Sequence, residues 1–134
     1  MKVDPLEIAA GYAYCPMGCR AAGKTLRISP YSFVTTPENI LYFSAASMWE
    51  IVIKRGLGRE DFKVNPRRLR KMLIVHGYTE LPVTAEHAFT VETLPLLHKE
   101  PFDRLLLAQA RTEEMLLLTV DAFVLQYQES VLAV

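Results

Sequence analysis

The chain has 134 residues, 51% of them hydrophobic and 22% charged, and its fifteen acidic residues balance fifteen lysines and arginines. This length suits one domain with a proper hydrophobic core, and zero net charge excludes bulk attraction to nucleic acid, so any basic surface must be local. No apolar run approaches the roughly 18 residues of a membrane span, and MKVDPLEIAA, with Asp4 and Glu7 early, lacks the basic-then-apolar layout of a signal peptide; a cytoplasmic protein with no membrane partner is expected.

Residues 1–37 hold both cysteines, half of the prolines and the glycines Gly11, Gly18 and Gly23, without a long periodic segment. Cys15 and Cys19 are spaced too widely for a zinc knuckle and no second pair completes a site, so two reduced thiols are expected. From residue 38 onward the elements follow one another cleanly. NILYFS (39–44) is β-prone and reads as a buried strand, and AASMWEIVIKRG (45–56) as a helix with Gly56 and Gly58 at its exit. NPRRLRKMLIVHG (65–77) is a helix with Asn65 as cap, Pro66 in the first turn and Gly77 past the end. Its apolar stripe is Leu69, Met72, Leu73 and His76, while Arg67, Arg70 and Lys71 take another face. TELPVT (79–84) is a short strand, Thr84 caps a further helix, and another helix starts at Pro101. MLLLTV (115–120) suits a buried parallel strand and DAFVLQYQ (121–128) a short helix. This alternation of strands and helices predicts an α/β domain with a mostly parallel sheet.

Three carboxylates recur near helix starts in that pattern. Glu50 lies six residues beyond a strand, Asp121 directly follows one, and Asp103 heads the apolar stripe of Leu106, Leu107 and Ala110. Ligands of open parallel sheets bind outside the carboxyl ends of the strands, and clustered acidic oxygens call for a hard cation such as Mg²⁺ or Mn²⁺. Each acid also has a purely structural reading. Ser47 and Glu50 have the spacing of a capping box, Asp121 can be an N-cap, and Asp103 can lean on the helix dipole or pair with Arg104.

The segments FSAASMWEIVIKRGLGREDF, LPVTAEHAFTVETLPLLHKEPFDRLLLAQA and LLLTVDAF resemble PIN-domain proteins of the VapC type, the toxin halves of type II toxin–antitoxin pairs, over residues 38 to about 128. The resemblance implies a PIN-like three-layer α/β/α fold and a metal-dependent ribonuclease that hydrolyses RNA phosphodiester bonds. It also implies a cognate antitoxin protein as partner and a homodimer. By this resemblance Glu50, Asp103 and Asp121 are the catalytic, metal-binding acids for Mg²⁺ or Mn²⁺, and the Thr119 hydroxyl is an accessory to them. RNA would be gripped by basic groups outside the cluster. Lys54, Arg55 and Lys99 are the leading candidates, with Arg59, the arginines of 67–70 and His98 behind them. His76 and His87 read as structural.

Before residue 38 the spelling departs from the family. The family's short apolar strand ending in aspartate is not evident; Asp4 has Val3 as its only preceding apolar neighbour and is followed by Pro5. Residues 1–37 therefore read as a divergent amino-terminal segment of the same domain, residues 38–134 as its PIN-like part, and the first strand as doubtful. The competing expectation is a catalytically impaired PIN-fold module that only binds an antitoxin or dimerises. A third is a structural α/β domain whose acids only cap helices.

Overall fold

A computed structural model of the protein describes residues 11–14, 40–58, 65–97, 100–119, 127 and 131–133. These residues form a mixed α/β structure with strands β1 (Gly11–Tyr14), β2 (Ile40–Ser44), β3 (Thr79–Leu81), β4 (Leu116–Thr119) and β5 (Val131–Ala133). Its helices are α1 (Ala45–Gly56), α2 (Pro66–Val75), α3 (Ala85–Val91) and α4 (Pro101–Thr112). The expected short helix at 121–128 lies outside the described residues except for Tyr127.

Local chemistry accounts for where the helices start and stop. Asn65 Oδ1 accepts from the Arg67 and Arg68 N–H groups at 3.1 and 3.3 Å, and Pro66 opens α2 where its missing N–H costs nothing. Thr84 Oγ1 accepts from the His87 N–H at 3.3 Å and caps α3. Glu100 takes the same role for α4, accepting the Asp103 N–H at 2.9 Å. At the other end of α2, Gly77 adopts φ 89° and the Tyr78 N–H returns to Leu73 O at 2.9 Å. The end of α4 has the same closure, Met115 N–H to Ala110 O at 2.8 Å, with Glu114 at φ 55° in place of glycine. Putting a side chain in that conformation costs roughly 1–2 kcal/mol.

The sheet order is β3-β2-β1-β4-β5. Its outer pairs, β2 with β3 and β4 with β5, are parallel as expected, but β1 runs antiparallel to both β2 and β4. The four outer strands therefore point one way and the centre is reversed. Two strands were missed from the sequence. GYAY alternates small and aromatic residues over only four positions, and VLA is three residues long, so neither is long enough for period-2 patterning to register.

Two hydrophobic clusters hold these elements together. One gathers Ala46, Leu81, Leu94, Met115 and Leu117 with Leu106, Leu107, Ala108 and Ala110 of α4, and Tyr42 packs against it. The other is Phe43, Ile51, Leu69 and Leu73, flanked by Met48 and Tyr78. Successive strand side chains point to opposite faces, and Tyr42 and Phe43 divide accordingly. The α2 stripe is narrower than expected: Leu69 and Leu73 are buried, whereas Met72 and His76 are exposed. At one turn's spacing, leucines 69 and 73 reach the core directly while the other two fall on its flank.

Arg70 ties α2 to β3 through a two-pronged contact with Glu80, Nε to Oε1 at 2.9 Å and Nη2 to Oε2 at 3.0 Å. Those hydrogen bonds hold the Glu80 carboxyl below its ordinary value, against partial desolvation that pushes it up. A carboxyl lowered by folding stabilises the protein fully above the ordinary glutamate range. That contribution is lost as pH falls through the folded-state value. Wild type is therefore expected to lose slightly more stability than Glu80→Gln between neutral and acid pH in urea titrations. The difference is small because solvent screens the pair.

Candidate acidic site

The carboxyl ends of β2 and β4 lie at one edge of the sheet. Gly11 of β1 is level with both Phe43 and Leu118, so Ser44 and Thr119 each stand one residue further along parallel strands. With one strand between them they are about 10 Å apart. From this edge α1 departs at Ser44. Asp103, in the first turn of α4, is brought to the same region because a short turn reverses the chain between α4 and β4.

Ser44 has non-helical φ −87° and ψ 140°, and its Oγ accepts the Ala46 N–H at 3.0 Å. This corrects the capping-box alternative for Glu50: the cap is Ser44, and Ser47 already lies inside the helix. Glu50 sits in the second turn, about 9 Å along the axis from the cap at 1.5 Å per residue. Its carboxylate is 24% exposed and pairs with Lys54 Nζ at 2.9 Å. One expected metal ligand and one expected RNA contact thus form a single i,i+4 ion pair. Arg55 is exposed in the last turn of α1.

Asp103 is half-buried, followed on its side of α4 by the buried Leu106, Leu107 and Ala110, as the stripe predicts. Its neighbour Phe102 meets Trp49, the residue before Glu50, edge to face, with ring centroids 5.1 Å apart at 69°. The two motif helices therefore touch at residues adjacent to their acids. Arg104 donates to Val91 O at 3.1 Å, Pro95 O at 3.2 Å and Tyr127 Oη at 3.4 Å, which pins the chain beyond α3. Thr119 closes β4 in register with Ala133. Asp121 and Lys99 lie outside the described residues, as do Cys15, Cys19, Arg59 and His98. Among the described residues no three His, Cys, Asp or Glu side chains group closely enough to hold a metal.

Sequence reasoning missed a buried polar chain beside this edge. Ser44 Oγ donates to Gln109 Oε1 at 2.6 Å, and Gln109 Nε2 lies 3.4 Å from both Pro82 O and His87 Nδ1. His87 is fully buried; its Nδ1 accepts the Thr84 N–H at 3.1 Å, so the ring proton sits on Nε2 and is donated to Glu113 Oε1 at 2.8 Å. His87 is structural, as expected. The signal for Gln109 was its position: the one amide in the otherwise apolar run LLLAQA. No protein-family model, curated protein or solved structure matches this chain.

Proposed function

We propose that the protein is a metal-dependent ribonuclease of PIN-like three-layer fold, the toxin component of a type II toxin–antitoxin pair, hydrolysing RNA phosphodiester bonds. The observation that carries this reading is the Trp49–Phe102 contact, which joins the helices bearing Glu50 and Asp103 at the residue preceding each acid. Placement of Ser44 and Thr119 at one carboxyl edge supports it further, since Asp121 follows Thr119 by two residues.

Glu50, Asp103 and Asp121 would hold Mg²⁺ or Mn²⁺, for which an all-oxygen donor set fits. The bound ion would supply positive charge where the phosphodiester gathers negative charge, and would lower the pKa of water. The residues themselves orient the substrate. Lys54 neutralises Glu50 in the metal-free protein, and metal entry would release its ammonium toward RNA phosphate. Arg55 and Lys99 are the other phosphate contacts in this reading, Thr119 steadies the acids, and a cognate antitoxin or second copy of the chain covers the site. Of the membrane, the described residues say this much: no helix is long and apolar enough to cross one.

A second reading, a PIN-fold module that binds an antitoxin or dimerises without cutting, is favoured by β1. That strand sits at the centre of the sheet, between β2 and β4, and GYAY carries no carboxylate. Incubation of the purified chain with single-stranded RNA separates the two. The ribonuclease reading expects fragments with Mn²⁺, none with EDTA, and recovery when Mn²⁺ is restored. Intact RNA beside a protein that Mn²⁺ nevertheless stabilises against heat would remove the ribonuclease reading and leave the second.

A further inference from the structure

Charge is spread unevenly over the helices. The α2 sequence, PRRLRKMLIV, places four cations in five positions and holds no acid. Arg70 is engaged by Glu80. Arg67, Arg68 and Lys71 are exposed, and among the described residues no acid pairs with any of them. Lys71 lies four residues from Arg67 and three from Arg68, so the three are neighbours on one side of the helix. Stability alone argues against this placement. Like charges at that spacing repel, and cations in the first turn oppose a helix dipole that favours anions there. The backbone N–H groups of Arg67 and Arg68 are already taken by Asn65, so it is the side chains that are left to bind something. In a chain of zero net charge, such a local concentration calls for a reason.

Where α2 lies in the fold gives one. It runs back against β3: the Tyr78 N–H closes on Leu73 O where the helix ends, and Arg70 meets Glu80 about one turn from where it begins. In the parallel pairing of β2 with β3, Glu80 is level with Phe43 and Leu81 with Ser44. The start of α2 therefore lies toward the same carboxyl edge as Ser44, and helical side chains lean toward that start. We propose that Arg67, Arg68 and Lys71 form a phosphate-binding track for single-stranded RNA, leading its backbone to this edge. Charge complementarity chooses the occupant. Guanidinium groups match phosphate oxygens two at a time, and phosphate contacts hold a strand without reading its bases. An acidic peptide would meet the same charges, but it gives no reason for their place at the edge where the helix of Glu50 begins. The inference rests on the ribonuclease reading and adds to it a surface on a second helix.

The test follows the fluorescence anisotropy of a labelled oligouridylate in EDTA, so that nothing is cut, over roughly 50–200 mM salt. Each phosphate contact on a single strand contributes about 0.7 to the slope of log affinity against log salt. The variant Arg67→Gln/Arg68→Gln/Lys71→Gln is expected to lower that slope by about 2 and to bind about 100-fold more weakly near 0.1 M salt. Its melting temperature should equal or exceed that of wild type, since repulsion within the helix is relieved. Arg67→Lys/Arg68→Lys keeps every charge and should retain the wild-type slope. Arg111→Gln removes an exposed cation from the last turn of α4, toward the opposite edge of the sheet, and should leave the slope unchanged. A wild-type slope in the triple variant overturns the track and leaves the ribonuclease reading to the Mn²⁺ cleavage assay. If that variant has instead lost binding to poly-glutamate, the face belongs to an acidic protein. An Arg111→Gln slope that falls as far as each track charge accounts for overturns the track too, by showing attraction without location. If wild type binds no RNA in EDTA, the track falls, and fragments produced with Mn²⁺ would show the ribonuclease reading surviving it.

Discussion

Asp103→Asn is expected to abolish Mn²⁺-dependent RNA cleavage while leaving the metal-free fold within about 1 kcal/mol of wild type. The stability side follows from where Asp103 sits. It occupies the first turn of α4, where a negative charge gains roughly 0.3–1 kcal/mol from the helix dipole, and this is lost in the amide. Asparagine is nearly isosteric, and the leucines behind it stay buried, so no packing is lost. Metal binding is where the variant should differ. An ion that binds only the native state at about a hundredfold excess over Kd adds about 2.7 kcal/mol. For a chain of this size that is a rise of about ten degrees in Tm. Calorimetry with millimolar MnCl₂ should show this rise in wild type and little of it in Asp103→Asn. Equal rises in the two proteins would leave Asp103 as a helix-dipole residue and remove the physical basis of the site.

Gln109→Leu should destabilise the protein by about 1–3 kcal/mol, the cost of leaving the buried Ser44 hydroxyl without its acceptor. Leucine fills nearly the same volume, so the loss is polar rather than a cavity. Most of it belongs to Ser44. Its hydroxyl donates to Gln109 Oε1 at 2.6 Å and would be left with nowhere described to donate, though it still accepts the Ala46 N–H. Contacts of the amide nitrogen with Pro82 O and His87 Nδ1, both at 3.4 Å, are weaker and contribute the smaller share. Urea unfolding should show a lower midpoint with an unchanged m value. Adding Ser44→Ala removes the stranded donor and should recover part of the loss, less about 1 kcal/mol for the α1 cap. A midpoint equal to wild type in the single variant would mean that the chain from Ser44 to Glu113 is replaceable by apolar packing.

The two variants bear on different layers of the structure. Asp103 was singled out by its place at the head of an apolar stripe and by the PFDR spelling, both visible along the chain. Gln109 was passed over because its importance depends on Ser44, 65 residues away, and no local pattern reports such a pairing. The same contrast applies to Glu50. Its spacing from Ser47 suggested a capping box, but the true cap is Ser44, and only the helix start itself distinguishes the two serines.

Everything that sequence alone determined here is local. Asn65, Thr84, Pro66, Pro101 and Gly77 act on backbone groups within a few residues, so α2, α3 and the start of α4 could be placed before any contact was known. The β-prone run at Ile40–Ser44 and the apolar run at Leu116–Thr119 likewise declared themselves as strands. Tertiary structure alone decided how those strands pair. Gly11–Tyr14 enters the centre antiparallel to both neighbours, and there its backbone N–H and C=O groups find partners on β2 and β4, which its own four residues do not specify. Contact between the two motif helices is decided at the same level. Trp49 and Phe102 lie 53 positions apart in sequence, and only packing of α1 beside α4 brings their rings to 5.1 Å.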